Sequence, residues 1–270
     1  MKSIYSVIFI CALLVFFVLG AIFDFEIANA LFYPQSVFSS VISVIAEQAL
    51  YISIAVSLIV FYVKEKDNRK IYFVIFKTFF LFLSTCFSFL AFFAIYQNFY
   101  FGVLSLFLAL AFVFIGVKLI KKLREETLEI LYKFCSKLVV YIIVIFILNR
   151  LVKFLWGRVR FIDIVESGYQ KPFMPIWQLD FFSFNMSFYS GHVTAVCSLL
   201  PLAKLFNSLQ IKKGLKIGLN LGCYILILLT MLSRMLLGAH YLTDVVFALI
   251  VAFIFCYFMF YKQKKNKQNS

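Results

Sequence analysis

The sequence predicts an all-α protein, a polytopic bundle of about eight transmembrane helices, and three observations carry that prediction. Of the 270 residues, 64% are hydrophobic and 14% charged, whereas a soluble domain is about half apolar and a quarter charged. The mean hydropathy is +1.00. Apolar stretches, most of them near the ~20 residues that cross a hydrocarbon layer, recur along the chain with basic residues gathered at alternate ends. A net charge of +14 in a soluble protein would point to nucleic acid; in a membrane protein the placement of the charges carries the information. The partners implied are the lipid bilayer and its lipids, not nucleic acid.

The candidate spans are 4–23, 47–63, 73–95, 98–120, 134–154, 190–206, 216–234 and 241–261. The first follows Met1 and Lys2 in the manner of a signal sequence, but no small-residue cleavage site follows and Asp24-Phe25-Glu26 is a poor context for one, so it is read as a retained helix. Residues 24–46, interrupted by Pro34, are expected to form an amphipathic helix in the interface. Lys121 to Lys133, with Glu125, Glu126 and Glu129 among lysines, reads as a solvated helical extension. Residues 157–189 form the one sizeable outer loop, with Pro172 and Pro175; Pro201, inside the sixth span, is expected to kink it. The chain divides into N-terminal helices (1–133), a second group of helices (134–261) and a basic cytoplasmic tail (262–270). All six cysteines fall in or at the ends of apolar spans and are read as small buried thiols, without metal-ligand spacing.

With the amino terminus in the cytoplasm, all but six of the 26 basic residues fall on the inner side. By the positive-inside rule both termini are then cytoplasmic. The six exceptions are Arg150, Lys153, Arg158, Arg160, Lys171 and Arg234.

The outer side also receives the only two histidines, His192 and His240. Ionisable groups at membrane depth are costly and line cavities or pair with one another. Asp244 follows His240 by four residues, one turn along the same helical face, where its carboxylate can fix the imidazole tautomer. Taken alone, that spacing equally fits a buried stabilising pair. Lys153 and Arg160 flank the end of the fifth span and Arg234 ends the seventh; these are side chains suited to phosphate oxygens, although any one of them alone also reads as a snorkelling cation. Ser190-Gly191-His192 opens a helix, where free N–H groups favour an anion. The loop aromatics Trp156, Phe173, Trp177, Phe181 and Phe182 read as an interfacial belt, or else as an acyl-chain entrance.

Read together, Lys153 with six residues to Arg160, then Ser190-Gly191-His192, then Ser233-Arg234 with five residues to His240 and three to Asp244, resemble the three motifs of the type-2 phosphatidic acid phosphatase superfamily. The resemblance covers about 138–261. Phe161 and Tyr189 stand where the family has prolines, which is expected to loosen two loop–helix joints. The resemblance implies a six-helix phosphatase-like core and a reaction without metal or other cofactor. In it His240 attacks phosphorus to give a phosphohistidine, Asp244 orients His240, and His192 protonates the leaving oxygen. Lys153, Arg160, Ser190, Gly191 and Arg234 would hold the phosphoryl oxygens. Arg158 is a further candidate contact and Arg150 a weaker one.

The substrate the resemblance implies is a membrane lipid phosphate. Lipid A is preferred, because the residues flanking the motifs are similar in style to bacterial lipid A phosphatases. Undecaprenyl pyrophosphate, phosphatidylglycerol phosphate and phosphatidate are the alternatives. The expected location is a bacterial inner membrane with the site on the periplasmic face. Transfer of the phosphoryl group to a second lipid, or noncatalytic lipid transport, are the rival functions.

Overall fold

The computed structural model describes residues 3–65, 71–93, 99–181, 183 and 185–262. Among these the regular structure is all helical, with no strand: α1 Ser3–Leu31, α2 Val37–Lys64, α3 Ile71–Phe93, α4 Phe99–Lys121, α5 Glu125–Trp156, α6 Phe161–Glu166, α7 Gly191–Val196, α8 Leu202–Ser208, α9 Lys213–Leu236 and α10 Leu242–Cys256. A π-helical turn, Tyr257–Tyr261, prolongs α10. Phe182 and the tail from residue 263 lie outside the described residues.

Six segments are long and apolar enough to cross a membrane: Val7–Leu31, Val37–Lys64, Val103–Lys121, Glu125–Glu166, Lys213–Leu236 and Leu242–Tyr261. Their outer faces expose large hydrophobic side chains, among them Ile8, Val15, Phe107, Phe114, Ile147 and Leu228. In water such surfaces would aggregate; against lipid tails they are at home. The protein is an integral membrane protein. Of the other two expected spans, α3 contributes a shorter apolar segment, Lys77–Leu90. The second, 190–206, is broken into α7, a 3₁₀ turn at Cys197–Leu199 and α8. Pro201 caps α8 at its N-terminus, where its missing N–H costs no helical bond.

The expected interfacial helix over 24–46 does not form. Instead α1 continues to Leu31, with non-helical geometry at Phe23, and α2 starts at Val37 behind the cap Ser36, whose hydroxyl accepts from the Ser39 N–H. Pro34 lies in the short link between them. The extension expected over 121–133 divides at a turn: α4 stops at Lys121 and Glu125 opens α5. There Lys64 bridges Glu125 and, at 3.0 Å, Glu129.

Helix α2 packs against α3, α4, α5, α7 and α9, while α1 packs along α10. Small residues let α2 and α3 approach closely, as is usual between membrane helices: Ala55, Ser57 and Ser84 are fully buried, and the Ser84 hydroxyl donates to the Ala55 carbonyl at 3.0 Å. Tyr141 of α5 donates to the carbonyls of Cys197 and Ala252, tying three segments at the bundle centre. Cys135, Cys197 and Cys256 are buried, but Cys11 is exposed on the outer face of α1, and no cysteine is in a disulfide.

Helix α5 ends on Gly157 in the left-handed conformation (φ +61), and a Cβ there would sit 1.8 Å from the Asp180 carbonyl oxygen. That close approach lets the Asp180 N–H reach the Trp156 carbonyl and the Ser183 hydroxyl reach that of Gly157. The loop is thereby folded back over the end of α5, and the family-like motifs are brought to one end of the bundle.

Candidate active site

A cavity of about 240 Å³ opens at that end. Lys153 and Arg150 enter it from α5, Arg160 from the start of α6, Gly191 and His192 from α7, Arg234 from the end of α9, and His240 from the turn before α10. Four of the six basic residues that break the positive-inside pattern therefore line one cavity, and a fifth, Arg158, lies behind it.

His240 is 3% exposed. It does not lie on α10 as the four-residue spacing to Asp244 suggested, because that helix begins at Leu242. The proximity comes instead from the helix cap: Asp244 at the third helical position accepts the Tyr241 N–H at 3.0 Å, which folds the preceding residue back over the carboxylate. Nδ1 of His240 then lies 3.5 Å from Asp244 Oδ2. This is an electrostatic contact longer than a hydrogen bond, and Nδ1 has no hydrogen-bond partner. Burial pushes the imidazole down from its ordinary value to about 3; Lys153 adds to the effect and Asp244 opposes it. The ring is thus neutral and keeps a lone pair for attack.

The turn carrying His240 is clamped from several sides. Gly238 has φ +63, and a Cβ on it would meet the Phe32 ring at 2.6 Å. Its carbonyl accepts from Ile162, while the Leu236 carbonyl accepts from Tyr33. Arg234 donates from Nη1 to the Ser43 hydroxyl of α2 at 2.8 Å, leaving its buried Nε unpaired; Arg160 Nε is likewise buried and unpaired. Buried N–H groups without partners are rare, and two arginines holding them at one cavity suit an incoming oxyanion. Lys153 donates to the Met186 carbonyl. Ser190 is buried as the cap of α7, its hydroxyl accepting from the Val193 N–H, and does not line the cavity. His192 faces Glu47 of α2, with Nε2 3.0 Å from Oε1.

Arg158, a candidate phosphate contact by sequence, is placed differently: it is fully buried behind His240. Nη2 pairs with Asp24 of α1 at 2.8 Å, Nη1 with Asp244 and the Thr243 hydroxyl at 2.7 Å each, and Nε donates to the Met174 carbonyl. Its guanidinium stacks 4.0 Å over the Tyr241 ring. The Ser187 hydroxyl completes the shell of Asp244. With most of its donors committed to these partners, Arg158 holds Asp244 behind the cavity lining.

The two proline departures are filled by packing, so the joints are held without them. Phe161 takes the first position of α6, where proline is favoured, and its buried ring meets Phe25, Phe32 and Tyr241 edge-on. Tyr189 is buried against Phe247, donates to the Ile145 carbonyl, and accepts from Asn149 at its own carbonyl. Of the loop aromatics, Phe173 turns inward onto Phe25 and Tyr241, Trp156 donates to the Ile176 carbonyl, and Trp177 and Phe181 are exposed.

A cationic cavity with a neutral, carboxylate-backed imidazole at its floor suits transfer of a phosphoryl group to nitrogen. The PAP2 superfamily model matches residues 134–268, half of the chain. The chain belongs to the PAP2 superfamily. Comparison with curated proteins and with solved structures finds no match. The PAP2 segment supplies every motif residue of the cavity, whereas Glu47, Leu50 and Tyr51 reach it from α2, outside the matched segment. Sequence reasoning missed Glu47, Asp24 and Asn149; an acidic residue inside an apolar run was the available signal for the first two.

Two outcomes are expected. Arg158→Met leaves two buried carboxylates unpaired and lowers stability by about 3–5 kcal/mol, read as the unfolding midpoint in detergent; an unchanged midpoint would contradict the pairing. The second concerns pH. The fold keeps His240 neutral while the unfolded chain takes up a proton below about 6.5, so this contribution to stability is complete above that pH and is lost as pH falls toward 3. His240→Gln should therefore flatten the decline in unfolding midpoint over that window, and parallel curves for the two proteins would refute the assignment.

Proposed function

We propose that this PAP2 membrane phosphatase hydrolyses the phosphate of a membrane lipid through a phosphohistidine on His240. The observation that carries the reading is the convergence of His240, His192, Lys153, Arg160 and Arg234 on one cavity, with Asp244 behind the first histidine. In the first step the neutral imidazole attacks phosphorus; the bond to the leaving oxygen breaks, and that oxygen takes a proton from His192. In the second, water loses a proton to His192 and attacks the phosphohistidine, returning the electron pair of the P–N bond to His240. The cations neutralise charge on the three non-bridging oxygens throughout. Gly191 allows the α7 backbone to approach them, and Ser190 fixes that backbone as its cap. These side chains supply all the groups the two steps need.

The substrate we favour is lipid A, on the style of the motif-flanking residues. The side we favour is the outer, periplasmic face of a bacterial inner membrane, because the cytoplasmic ends of the spans carry most of the basic residues. The phosphate of a lipid lies at that depth, where the loop with exposed Trp177 and Phe181 would meet the interface.

Purified protein should release inorganic phosphate from a lipid phosphate in the presence of a chelator, and His240→Ala and His192→Ala should each abolish release while remaining folded. Full activity in either variant would rule out the mechanism. A cysteine placed at exposed Lys171 should react with an impermeant maleimide from outside intact cells; reaction only after lysis would reverse the orientation.

A further inference from the structure

Glu47 is the one carboxylate lining a cavity whose other charged walls are cationic. It belongs to none of the three motifs and to no part of the matched PAP2 segment. Helix α2 presents Ser43, Glu47 and Tyr51 at successive turns. The first accepts from Arg234, the second meets His192, and the third lines the cavity beside them. The Glu47 side chain is 40% exposed and that of His192 27%, so neither is sealed from solvent. The surroundings of His192 would otherwise disfavour a protonated ring: Lys153 and Arg150 face the cavity from α5, Arg160 from α6, Arg234 from α9, and His240 from the turn before α10. Burial above all, with Arg234 and Lys153, holds this imidazole below its ordinary value, and Glu47 is the group that opposes them.

We propose that Glu47 is a positioning residue for the acid step, a role that rests on the phosphatase reading above: its carboxylate holds Nε2–H of His192 and favours the imidazolium over the neutral ring. The other ring N–H then serves the leaving oxygen. As the phosphorus–oxygen bond breaks, the leaving oxygen takes its electron pair and the proton from that nitrogen. His192 is left neutral with Nε2–H still on Glu47, ready to accept a proton from the hydrolytic water. Glu47 remains a carboxylate throughout. The arrangement parallels Asp244 and His240 on the opposite wall, so each histidine is backed by its own acid; the nucleophile's partner lies within α10 and the acid's comes from α2.

The test compares two phosphomonoesters whose leaving groups differ in their need for a proton. An alkoxide leaves poorly unless protonated, whereas 4-nitrophenolate leaves without help. In detergent micelles, kcat/KM, which reports formation of the phosphohistidine, is measured for the wild type and Glu47→Gln on an alkyl lipid phosphate that the wild type turns over and on 4-nitrophenyl phosphate. Glu47→Gln should lose about 10-fold or more on the alkyl ester and less than about 3-fold on the aryl ester, with Glu47→Asp restoring part of the loss. An equal fall on both esters would show a merely structural contact and overturn the proposal. So would unchanged values, or a rise on both, which would mark Glu47 as an anion competing with substrate for the cations. A wild type inactive on every phosphate ester would instead overturn the phosphatase reading, and this proposal with it.

Discussion

The arrangement depends on one buried guanidinium. Arg158 joins Asp24 of α1 to Asp244 of α10 with all three side chains buried, and further donors reach Thr243 and the Met174 carbonyl. An ion group of this kind is expensive to desolvate, and it persists because every charge has a partner and nearly every lone pair a donor. Asp244 is consequently fixed by Arg158, Ser187 and the Tyr241 N–H before His240 is considered. The histidine is set against an acid that is already rigid. Its own position comes from the clamped turn between α9 and α10 together with the same Tyr241 cap, so one N–H both fixes the carboxylate and draws the imidazole to it.

The same logic explains why one end of the bundle tolerates so many cations. The positive-inside pattern read from the sequence has six exceptions. Four line one cavity and one holds the carboxylate behind it; the sixth, Lys171, is exposed on the loop. The exceptions to the topological pattern are thus concentrated in the site.

Much of this was legible in the sequence because it is encoded locally. Apolar run length predicted most of the spans, and motif spacing drew together residues that the fold does bring to one cavity. The local geometry was less legible. His240 was expected on a helix and lies just ahead of its cap, its contact with Asp244 arising from a cap that spacing alone does not distinguish from helical register. The break in 190–206 had its signal in Pro201, but the 3₁₀ turn beside it had none. Contacts made across the chain were not legible at all: Asp24 and Arg158 are 134 positions apart, and no periodicity within either segment specifies that they meet. Arg158 looked like a phosphate ligand because it shares the Gly157-Arg158-Val159-Arg160 run with Arg160, yet after Gly157 Arg160 lines the cavity while Arg158 is buried on Asp244.

The reach of α2 into the cavity ties the two halves of the chain together. The three motifs lie in the second half, but the wall facing them comes from α2, outside the matched segment. Through Ser43 and Glu47 that wall holds Arg234 and His192 in place, so a change in it reaches the motif side chains without altering them. The first half is then part of the cavity as well as of the membrane bundle.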